Sequence, residues 1–450
     1  MSELPRVITT ENVLNVLTSP QGEGIAAMIC TSTWGPLDEV QTVSSLSDFK
    51  KKYGTDSSSV TGYKAAKAFF DNGGILKVLR IAHTGYDKAD YTFKDGSDVN
   101  AITITAKYDG TYGDNIYVTI VANGSNRDVY ISDGLDTESY YNLATNAAIV
   151  AAINTGNLCT AEVETGTPNL VAAITATYLT GGDDGTTSLA DADYTTGFDT
   201  YLETEDYRYL LIPGKTEDAF QITMKGKLDT RATDEKKYSR YLTGITASES
   251  ISTIKARTLS GRRATLVAPS YKYYNESTET YTTMDGSYLA CALAGKLCSL
   301  GVGSAGTNKP IVAVVDTEYT KPEQSELLDD SVVVIGTFNN DIRCIKDMTR
   351  YTDLTSPYKL GVISDEVDYC REQYEEYLEG QIGEPNTSLN RVGISSGLDT
   401  ISSTLIENEI IESAIKSVVE LGASNDAITA TITIKPIYSI DYISLTINIS

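Results

Sequence analysis

Two glycine-rich motifs in this 450-residue chain could support nucleotide chemistry. Gly214-Lys215-Thr216 follows an apolar run and precedes a predicted helix, which is the setting of a phosphate-binding loop. That loop requires a further glycine where Tyr209 stands, inside the predicted strand. Residues 301–306 spell G-x-G-x-x-G, but they follow a predicted helix and precede a strand, the reverse of a dinucleotide-binding fingerprint. Neither motif predicts a nucleotide site.

Other residue types that could do chemistry are scattered. His83 is the only histidine in the sequence, and no G-x-S-x-G elbow offers it a serine to activate. Asp183 and Asp184 stand together between glycines, whereas a calcium loop needs several spaced oxygen ligands, so a tight turn is the simpler interpretation. The six cysteines include no C-x-x-C pair, which argues against zinc. We expect no catalytic residue, no cofactor and no metal.

Bulk properties exclude further classes of function. The net charge is −25, which disfavours nucleic acid as a partner because phosphate binding needs a basic face. Hydrophobic residues make up 41% of the chain, an ordinary share for a folded protein with several domains. No apolar run is long enough to span a bilayer, and the N-terminal residues lack the features of a signal peptide, so we expect no membrane insertion and synthesis in the cytoplasm.

The elements that would position these residues divide the chain into six segments. They are an extended N-terminal arm (1–20), the N-terminal part of the core (21–90), a β-sandwich-like insertion (91–182), an α/β domain (183–345), a C-terminal α+β core domain (346–436) and a C-terminal strand (437–450). The predicted fold class is therefore multi-domain α/β plus β. The boundaries follow changes in pattern, such as the Gly-Gly-Asp-Asp-Gly turn at 181–185.

Two of these segments have contrasting patterns. In 183–345, short continuous Val, Ile and Leu runs alternate with helical stretches, which indicates a buried parallel sheet covered by helices. The predicted strands are 209–212, 241–245, 264–268, 311–315 and 332–335. In 91–182, strands separated by turns rich in Gly, Asp and Asn predict a small sandwich with one helix near 147–153.

The C-terminal residues show the period-two pattern of half-buried strands. Apolar residues alternate with threonines from 428 to 434, and after Pro436 the alternation resumes up to Ser450. The apolar positions of the second run are Ile443, Leu445, Ile447 and Ile449. A long uncharged strand is an aggregation hazard unless it is paired, so it either joins its own sheet or adds to the sheet of another copy. A helix is predicted before these strands, over 404–421.

Several ordered segments resemble one known family. They include TSTWGPLDEVQTVSSLSDFKKKYG, AAKAFFDNGGILKVLRIA, the junction LTGGDDG followed by YRYLLIPG, and the ending IKPIYSIDYISLTINI. Together they are similar to the contractile-tail sheath proteins of bacteriophages, phage-tail-like bacteriocins and contractile injection systems. The start Leu4-Pro5-Arg6-Val7-Ile8 departs from the Pro-Gly-Val-Tyr-type start of many sheaths.

The resemblance implies a structural subunit and no enzyme. It implies a subtilisin-like parallel-sheet domain without a working triad, and six-membered rings stacked around a tail tube. Contraction from a metastable extended lattice to a compact one would drive the tube through the host envelope without a nucleotide. The implied partners are further copies of the chain, the tube, the baseplate and the tail terminator. The implied location is the virion tail, assembled in the host cytoplasm.

The resemblance also implies site residues. The N- and C-terminal arms would exchange strands between subunits, through Val7, Ile8, Ile443, Leu445, Ile447 and Ile449. Lys346 and Arg350 are candidates for facing the tube, although a solvated surface is the simpler interpretation of each, and the sandwich insertion is expected outermost. The alternatives are a nucleotide-dependent α/β enzyme with an accessory β domain, which would need converging polar groups at a strand's C-terminal end, and a surface-array protein, which would need an export signal.

Overall fold

The computed structural model describes residues 24–440, apart from positions 167, 277, 339 and 354. The predicted N-terminal arm, with Val7 and Ile8, lies outside the described residues. So do Ile443, Leu445, Ile447 and Ile449 of the predicted C-terminal strand. Strand exchange through these residues therefore stays a prediction.

Residues 24–81 contribute three strands to the central sheet, and residues 90–178 form two antiparallel sheets. Residues 24–81 form β1 (Ile25–Cys30), β2 (Val40–Val43), α1 (Leu46–Tyr53), α2 (Gly62–Phe70) and β3 (Ile75–Arg80). Residues 90–178 form β4 (Asp90–Lys94), β5 (Asn100–Ala106), a 3₁₀ turn (Thr111–Asn115), β6 (Tyr117–Asn123), β7 (Asn126–Ser132), β8 (Thr137–Leu143), α3 (Asn146–Ile153), β9 (Cys159–Val163) and β10 (Ile174–Tyr178).

The later segments alternate helices with strands and end in a hairpin. They first form α4 (Asp191–Gly197), a π-helical turn (Phe198–Leu202), β11 (Tyr209–Leu211), α5 (Asp218–Asp234), β12 (Arg240–Gly244), α6 (Ile251–Lys255), β13 (Ala264–Ala268), β14 (Tyr271–Asn275) and β15 (Thr280–Met284). They continue with α7 (Gly286–Leu300), α8 (Lys321–Asp329), β16 (Val333–Phe338), β17 (Asp341–Cys344), a 3₁₀ turn (Pro357–Lys359), α9 (Gly361–Glu379), α10 (Ser388–Glu407), β18 (Ile411–Leu421) and β19 (Ile428–Pro436).

An eight-stranded sheet with the order β17-β16-β13-β12-β11-β1-β3-β2 forms the centre of the protein. Neighbouring strands are parallel from β16 to β3, and the two edge strands β17 and β2 are antiparallel to their neighbours. The predicted buried parallel sheet is confirmed. It draws its strands from both the 21–90 and the 183–345 segments, so these segments share one sheet.

Helices cover both faces of this sheet. In β1, Ala26 and Met28 face a core that includes residues of α2 and α7, whereas Ala27 and Ile29 face a second core that includes residues of α5. Successive side chains of a strand point to opposite faces, so a strand covered on both faces is apolar throughout. This explains why these strands appear in the sequence as continuous apolar runs.

The segment between β3 and α4 contains two antiparallel sheets. One has the strand order β4-β5-β9 and the other β10-β6-β7-β8. Their inward residues share one hydrophobic core, with Ile104 of the first sheet and Ile120 and Ile131 of the second all fully or almost fully buried. Ile149 and Ile153 of α3 complete this core. The protein is thus a mixed α/β fold with several sheets.

Two predicted elements were wrong. The helix predicted over 404–421 ends at Glu407, and residues 411–421 form β18 instead. Register shifts interrupt the pairing of β18 between Ile411 and Ser413 and between Ile415 and Val418, so its apolar residues do not alternate. The predicted helical stripe combined Ala414, which packs toward the core, with Ile415 and Val418, which are exposed. Residues 311–315, predicted as a strand, make only isolated bridges among the described residues.

Candidate functional site

The C-terminal hairpin is the part of the described chain that has the features of an assembly site. Its two strands, β18 and β19, are 11 and 9 residues long and pair antiparallel, with Ala414 opposite Ile434 and Val419 opposite Ala430. The predicted alternation of β19 is confirmed, because Ala430, Ile432 and Ile434 pack toward a core formed with α9 and α10. That core includes Tyr374, Leu398 and Leu405, which are buried.

The other face and both edges of the hairpin are open within the described residues. Ile415 is 67% exposed and Val418 50% exposed, and no further strand of residues 24–440 pairs with either β18 or β19. A two-stranded sheet is marginal by itself, and unpaired edges are templates for another strand. The hairpin therefore offers main-chain donors and acceptors along two long edges.

Helix α10 and the loop before it hold the hairpin in position. The bulge in β18 frees the main-chain groups of Ser417, and α10 binds both of them. Asp399 Oδ1 accepts from the Ser417 amide at 2.7 Å, and Ser395 Oγ donates to the Ser417 carbonyl at 2.7 Å. At the turn, Asn386 Nδ2 donates to the carbonyls of residues 425 and 427 at 2.9 and 3.0 Å. These four hydrogen bonds attach the hairpin to α10 and to the loop before it.

Helix α9 joins this C-terminal unit to the central sheet through buried ion pairs. Arg240, at the start of β12, contacts Asp347 at 3.0 Å and Asp365 at 2.8 Å, and each of these side chains is at most 10% exposed. Tyr209 OH donates to the same Asp365 oxygen at 2.9 Å. Gly361 begins α9 here, and a Cβ at that position would collide with both Arg240 and Asp347.

Two more arginines at strand starts extend these contacts. Arg263 precedes β13 and pairs with Asp368 at 2.7 Å, and Arg208 precedes β11 and pairs with Glu372 at 3.3 Å. Burial raises the pKa of Glu372 to about 7, against the lowering effect of Arg208. We call Arg208, Arg240 and Arg263 with Asp347, Asp365, Asp368 and Glu372 the ionic seam.

The geometry of the seam follows from local structure. Strands β11, β12 and β13 are parallel neighbours, so their first residues meet at one edge of the sheet. Asp365, Asp368 and Glu372 are three and four residues apart, a spacing that places them on one side of a helix. The sequence reasoning missed the seam, although an arginine at or just before three consecutive apolar runs was a usable signal.

The two candidate tube-facing residues differ in their placement. Arg350 is 4% exposed, and its guanidinium donates to the Leu259 carbonyl at 3.0 Å and pairs with Asp330 at 3.2 Å. Its charge is used inside its own chain, so burial argues against a tube contact. Lys346 is half-buried in the loop after β17. A tube contact by either residue stays a prediction.

The glycine motifs serve structural roles. Lys215 pairs with Asp191 at 2.7 Å, and its ammonium lies 4.9 Å from the centre of the Tyr194 ring. Gly301 ends α7 with a φ of 77°, a conformation that glycine adopts without strain. Lys215 and Gly301 thus each have a structural role within the fold.

The remaining candidates for chemistry have structural partners. His83 Nδ1 lies 3.2 Å from the carboxylate of Asp193. Asp184 is buried and accepts from the Thr111 amide at 2.7 Å, which ties the insertion to the turn that ends it. All six cysteines are free and buried, and burial raises the pKa of Cys30 to about 12. Within residues 24–440, no group of three His, Cys, Asp or Glu side chains is placed to hold a metal ion.

None of the helices in the described part of the chain combines the length and the apolar composition needed to cross a bilayer.

Comparison with known proteins identifies the fold. Residues 23–81 match the family model described as the tail sheath protein Gp18 domain III N-terminal region. This range contains β1 to β3 and the first two motifs on which the resemblance was based. No curated protein sequence matches the chain.

Solved structures of sheath proteins are similar over nearly the whole chain. The sheath tail protein of Desulfitobacterium hafniense matches with a TM-score of 0.69 and 16% identity, over 94% of this chain and 99% of that one. A sheath tail protein of Listeria innocua gives a TM-score of 0.70 and 16% identity, over 94% and 93%. The helical sheath of the anti-feeding prophage in its contracted state gives 0.57 and 11%, over 100% and 99%. The resemblance to the tail sheath family is thus confirmed, and this chain has the sheath-protein fold.

Proposed function

We propose that this chain is the structural subunit of a contractile tail sheath. The observation that carries the proposal is the hairpin of β18 and β19, whose two long edges have no strand partner among residues 24–440. This hairpin belongs to a chain that has the sheath-protein fold. Copies of the chain would form six-membered rings stacked around a tail tube. They would contract from a metastable extended lattice to a compact one and so drive the tube through the host envelope.

Strand exchange is the proposed link between copies. Residues around Val7 and Ile8 and the alternating run Ile443, Leu445, Ile447 and Ile449 would each add a strand to the hairpin of another copy. Each main-chain hydrogen bond of an added strand contributes about 1 kcal/mol net, and each buried Ile or Leu roughly 1.5–3 kcal/mol. Such a link survives while the folded bodies rotate, because it lies at the end of an arm and not in a rigid face.

The domain roles follow from this proposal. The segments 21–90 and 183–345 form the subtilisin-like parallel-sheet domain, and 346–436 is the C-terminal domain that presents the hairpin. The two antiparallel sheets of 91–182 form an inserted sandwich, which we place on the outside, away from the tube. Its two connections to the parallel-sheet domain lie close together, since Asp87 and Asp183 form a bridge.

The remaining partners and the location are also proposals. The chain would contact the tail tube, the baseplate and the tail terminator, but no nucleic acid and no membrane interior. It would reside in the tail of the particle after assembly in the host cytoplasm. Among the charged residues near the start of the C-terminal domain, half-buried Lys346 fits a tube contact better than buried Arg350.

An enzymatic role is not favoured by any observation. The alternative of a nucleotide-dependent enzyme needed a phosphate-binding lysine, and Lys215 is engaged with Asp191 and two aromatic rings. The subtilisin-like domain would need a histidine beside a serine, and the carboxylate of Asp193 is the hydrogen-bond partner of His83. We propose a sheath subunit without catalytic activity.

Deletion of residues 437–450 tests the proposal. The described hairpin ends at Pro436, so the truncated chain should fold, remain monomeric and form no long cylinders. Negative-stain microscopy and analytical ultracentrifugation would compare it with the full chain, which should form striated hollow cylinders. Normal cylinders from the truncated chain would contradict the proposed role of this strand.

A further inference from the structure

A buried carboxyl contacts the chain where it leaves the hairpin. Glu366, in the second turn of α9, is 0% exposed. Its Oε2 accepts a hydrogen bond from the Ile437 amide at 3.2 Å. Its Oε1 is also buried and has no hydrogen-bond partner within residues 24–440. Burial of a carboxyl oxygen without a hydrogen-bond partner costs free energy. The burial of Glu366 beside the Ile437 amide therefore needs a functional explanation.

The position of Ile437 gives this contact its importance. β19 ends at Pro436, which has no N–H group. The Ile437 amide is therefore the first main-chain donor after that of Lys435. Beyond it the chain moves to the surface, with Tyr438 52% and Ile440 81% exposed. Glu366 thus holds the chain at the root of residues 437–450, which we call the C-terminal arm.

The surroundings of Glu366 favour its neutral form. Burial, with a smaller contribution from the neighbouring Asp365, raises the pKa of Glu366 to about 8 against the lowering effect of the Ile437 amide. Cys370 lies one turn along α9, where burial and then Glu366 raise its pKa and Arg208 lowers it. From β19, Lys435 pairs with Glu412 at 2.6 Å on the exposed side, and none of the ion pairs found within the described residues involves Glu366.

We propose that Glu366 is a proton-dependent anchor of the C-terminal arm, which fixes the direction of residues 437–440 when protonated and releases them when ionised. The inference rests on the proposed function, because it concerns the arm that links one copy to another. When Glu366 loses its proton, its charge is stabilised by a single amide hydrogen bond, and no ion pair within residues 24–440 compensates it. Opening the root then hydrates the carboxylate.

The sign of the pH dependence follows from the raised pKa. In the anchored state Glu366 binds its proton up to about pH 8, whereas a hydrated glutamate loses it near its ordinary value of 4.5. Between these two values the anchored state holds one more proton than the released state, so the anchor weakens by roughly tenfold for each pH unit of increase. Above about pH 8 both states are ionised and the balance no longer changes.

A spin label on the arm of the full-length monomer tests the anchor. In an Ile440→Cys variant the label would react at an exposed position, while the six native thiols are buried. We expect the nitroxide to be immobilised at pH 6 and mobile at pH 9. In Glu366→Gln, which keeps the acceptor without the charge, it should stay immobilised at both values, and in Glu366→Ala it should be mobile at both. Glu420→Gln, an exposed acid of β18, should titrate like the parent.

Two results would overturn the anchor: equal mobility at pH 6 and pH 9 in the parent, or a Glu366→Gln variant that still titrates. If Glu366→Gln fails to fold, the parent's titration decides alone. Cylinder formation by the same labelled chain is scored separately by microscopy. A chain whose arm titrates but which never polymerises would overturn the sheath function and not the anchor.

Discussion

The edge strands of the eight-stranded sheet are short, whereas those of the C-terminal hairpin are long and unpaired within residues 24–440. The sheet ends in β2 and β17, each four residues long and antiparallel to its neighbour. The hairpin has strands of 11 and 9 residues, and neither outer edge is paired within residues 24–440. Short edge strands limit further pairing, whereas long open edges invite it. The contrast supports the proposal that the hairpin receives a strand of another copy, whereas the sheet stabilises its own chain.

The two regions also differ in what buries their faces. The sheet has apolar cores on both sides, and the hairpin has one on a single side. The ionic seam connects the sheet to α9, against which the hairpin packs. Substitutions in the seam should have the largest effect.

Asp365→Ala should destabilise the protein by about 3–5 kcal/mol, because it leaves Arg240 partly unpaired in a buried site. Urea denaturation would measure the free energy of unfolding. Lys236→Ala is the matched control, since it breaks an ion pair with Glu379 in which both side chains are about half exposed, and it should cost about 0–1 kcal/mol. Equal costs for the two variants would show that the seam does not hold the regions together.

A core residue of the sheet and an outward residue of the hairpin should respond differently to truncation. Leu293→Ala, at a fully buried position of α7, should cost about 2–5 kcal/mol of unfolding free energy. Ile415→Ala, at a position that is 67% exposed, should change it by at most about 0.5 kcal/mol. It should nevertheless reduce cylinder formation, if this face is covered in the assembly. A large stability loss from Ile415→Ala in the monomer would contradict the open-face description.

The seam should make stability depend on pH. Burial raises the pKa of Glu372 to about 7, so the folded state holds its proton more tightly than the unfolded state. Stability from this group is therefore greatest below the ordinary value, falls as pH rises towards 7 and then levels off. Glu372→Gln should reduce the difference in unfolding free energy between pH 5 and pH 8 by about 1–3 kcal/mol. An unchanged difference would mean that Glu372 is hydrated.

The smallest effect is expected at the hairpin turn. Asn386→Ala removes two hydrogen bonds to the carbonyls of residues 425 and 427 and a third that Asn386 Oδ1 accepts from Arg391, and it should cost about 0.5–1.5 kcal/mol. Hydrogen exchange of the turn amides should become faster, while exchange in the eight-stranded sheet stays the same. Glu384→Ala, at an exposed position of the same loop, is the control. If both variants exchange alike, Asn386 does not hold the turn.

The sequence predicted those features that repeat along one segment. The apolar runs of β12 and β13 and the Ile–Thr alternation of β19 each depend on local periodicity, and the motifs in 23–81 carried the family resemblance. It failed where the periodicity is broken, as in β18, where register shifts remove the alternation expected of a strand. It also failed for the seam, because Arg240 meets Asp365 only after segments 125 residues apart come together.

Cryo-electron microscopy of the assembled particle is the most direct test of strand exchange. The backbone of residues 443–449 should be traced from one subunit into another and should pair there with an edge of the β18–β19 hairpin. A map in which these residues pair with their own hairpin, and in which no other chain pairs with it, would contradict the account.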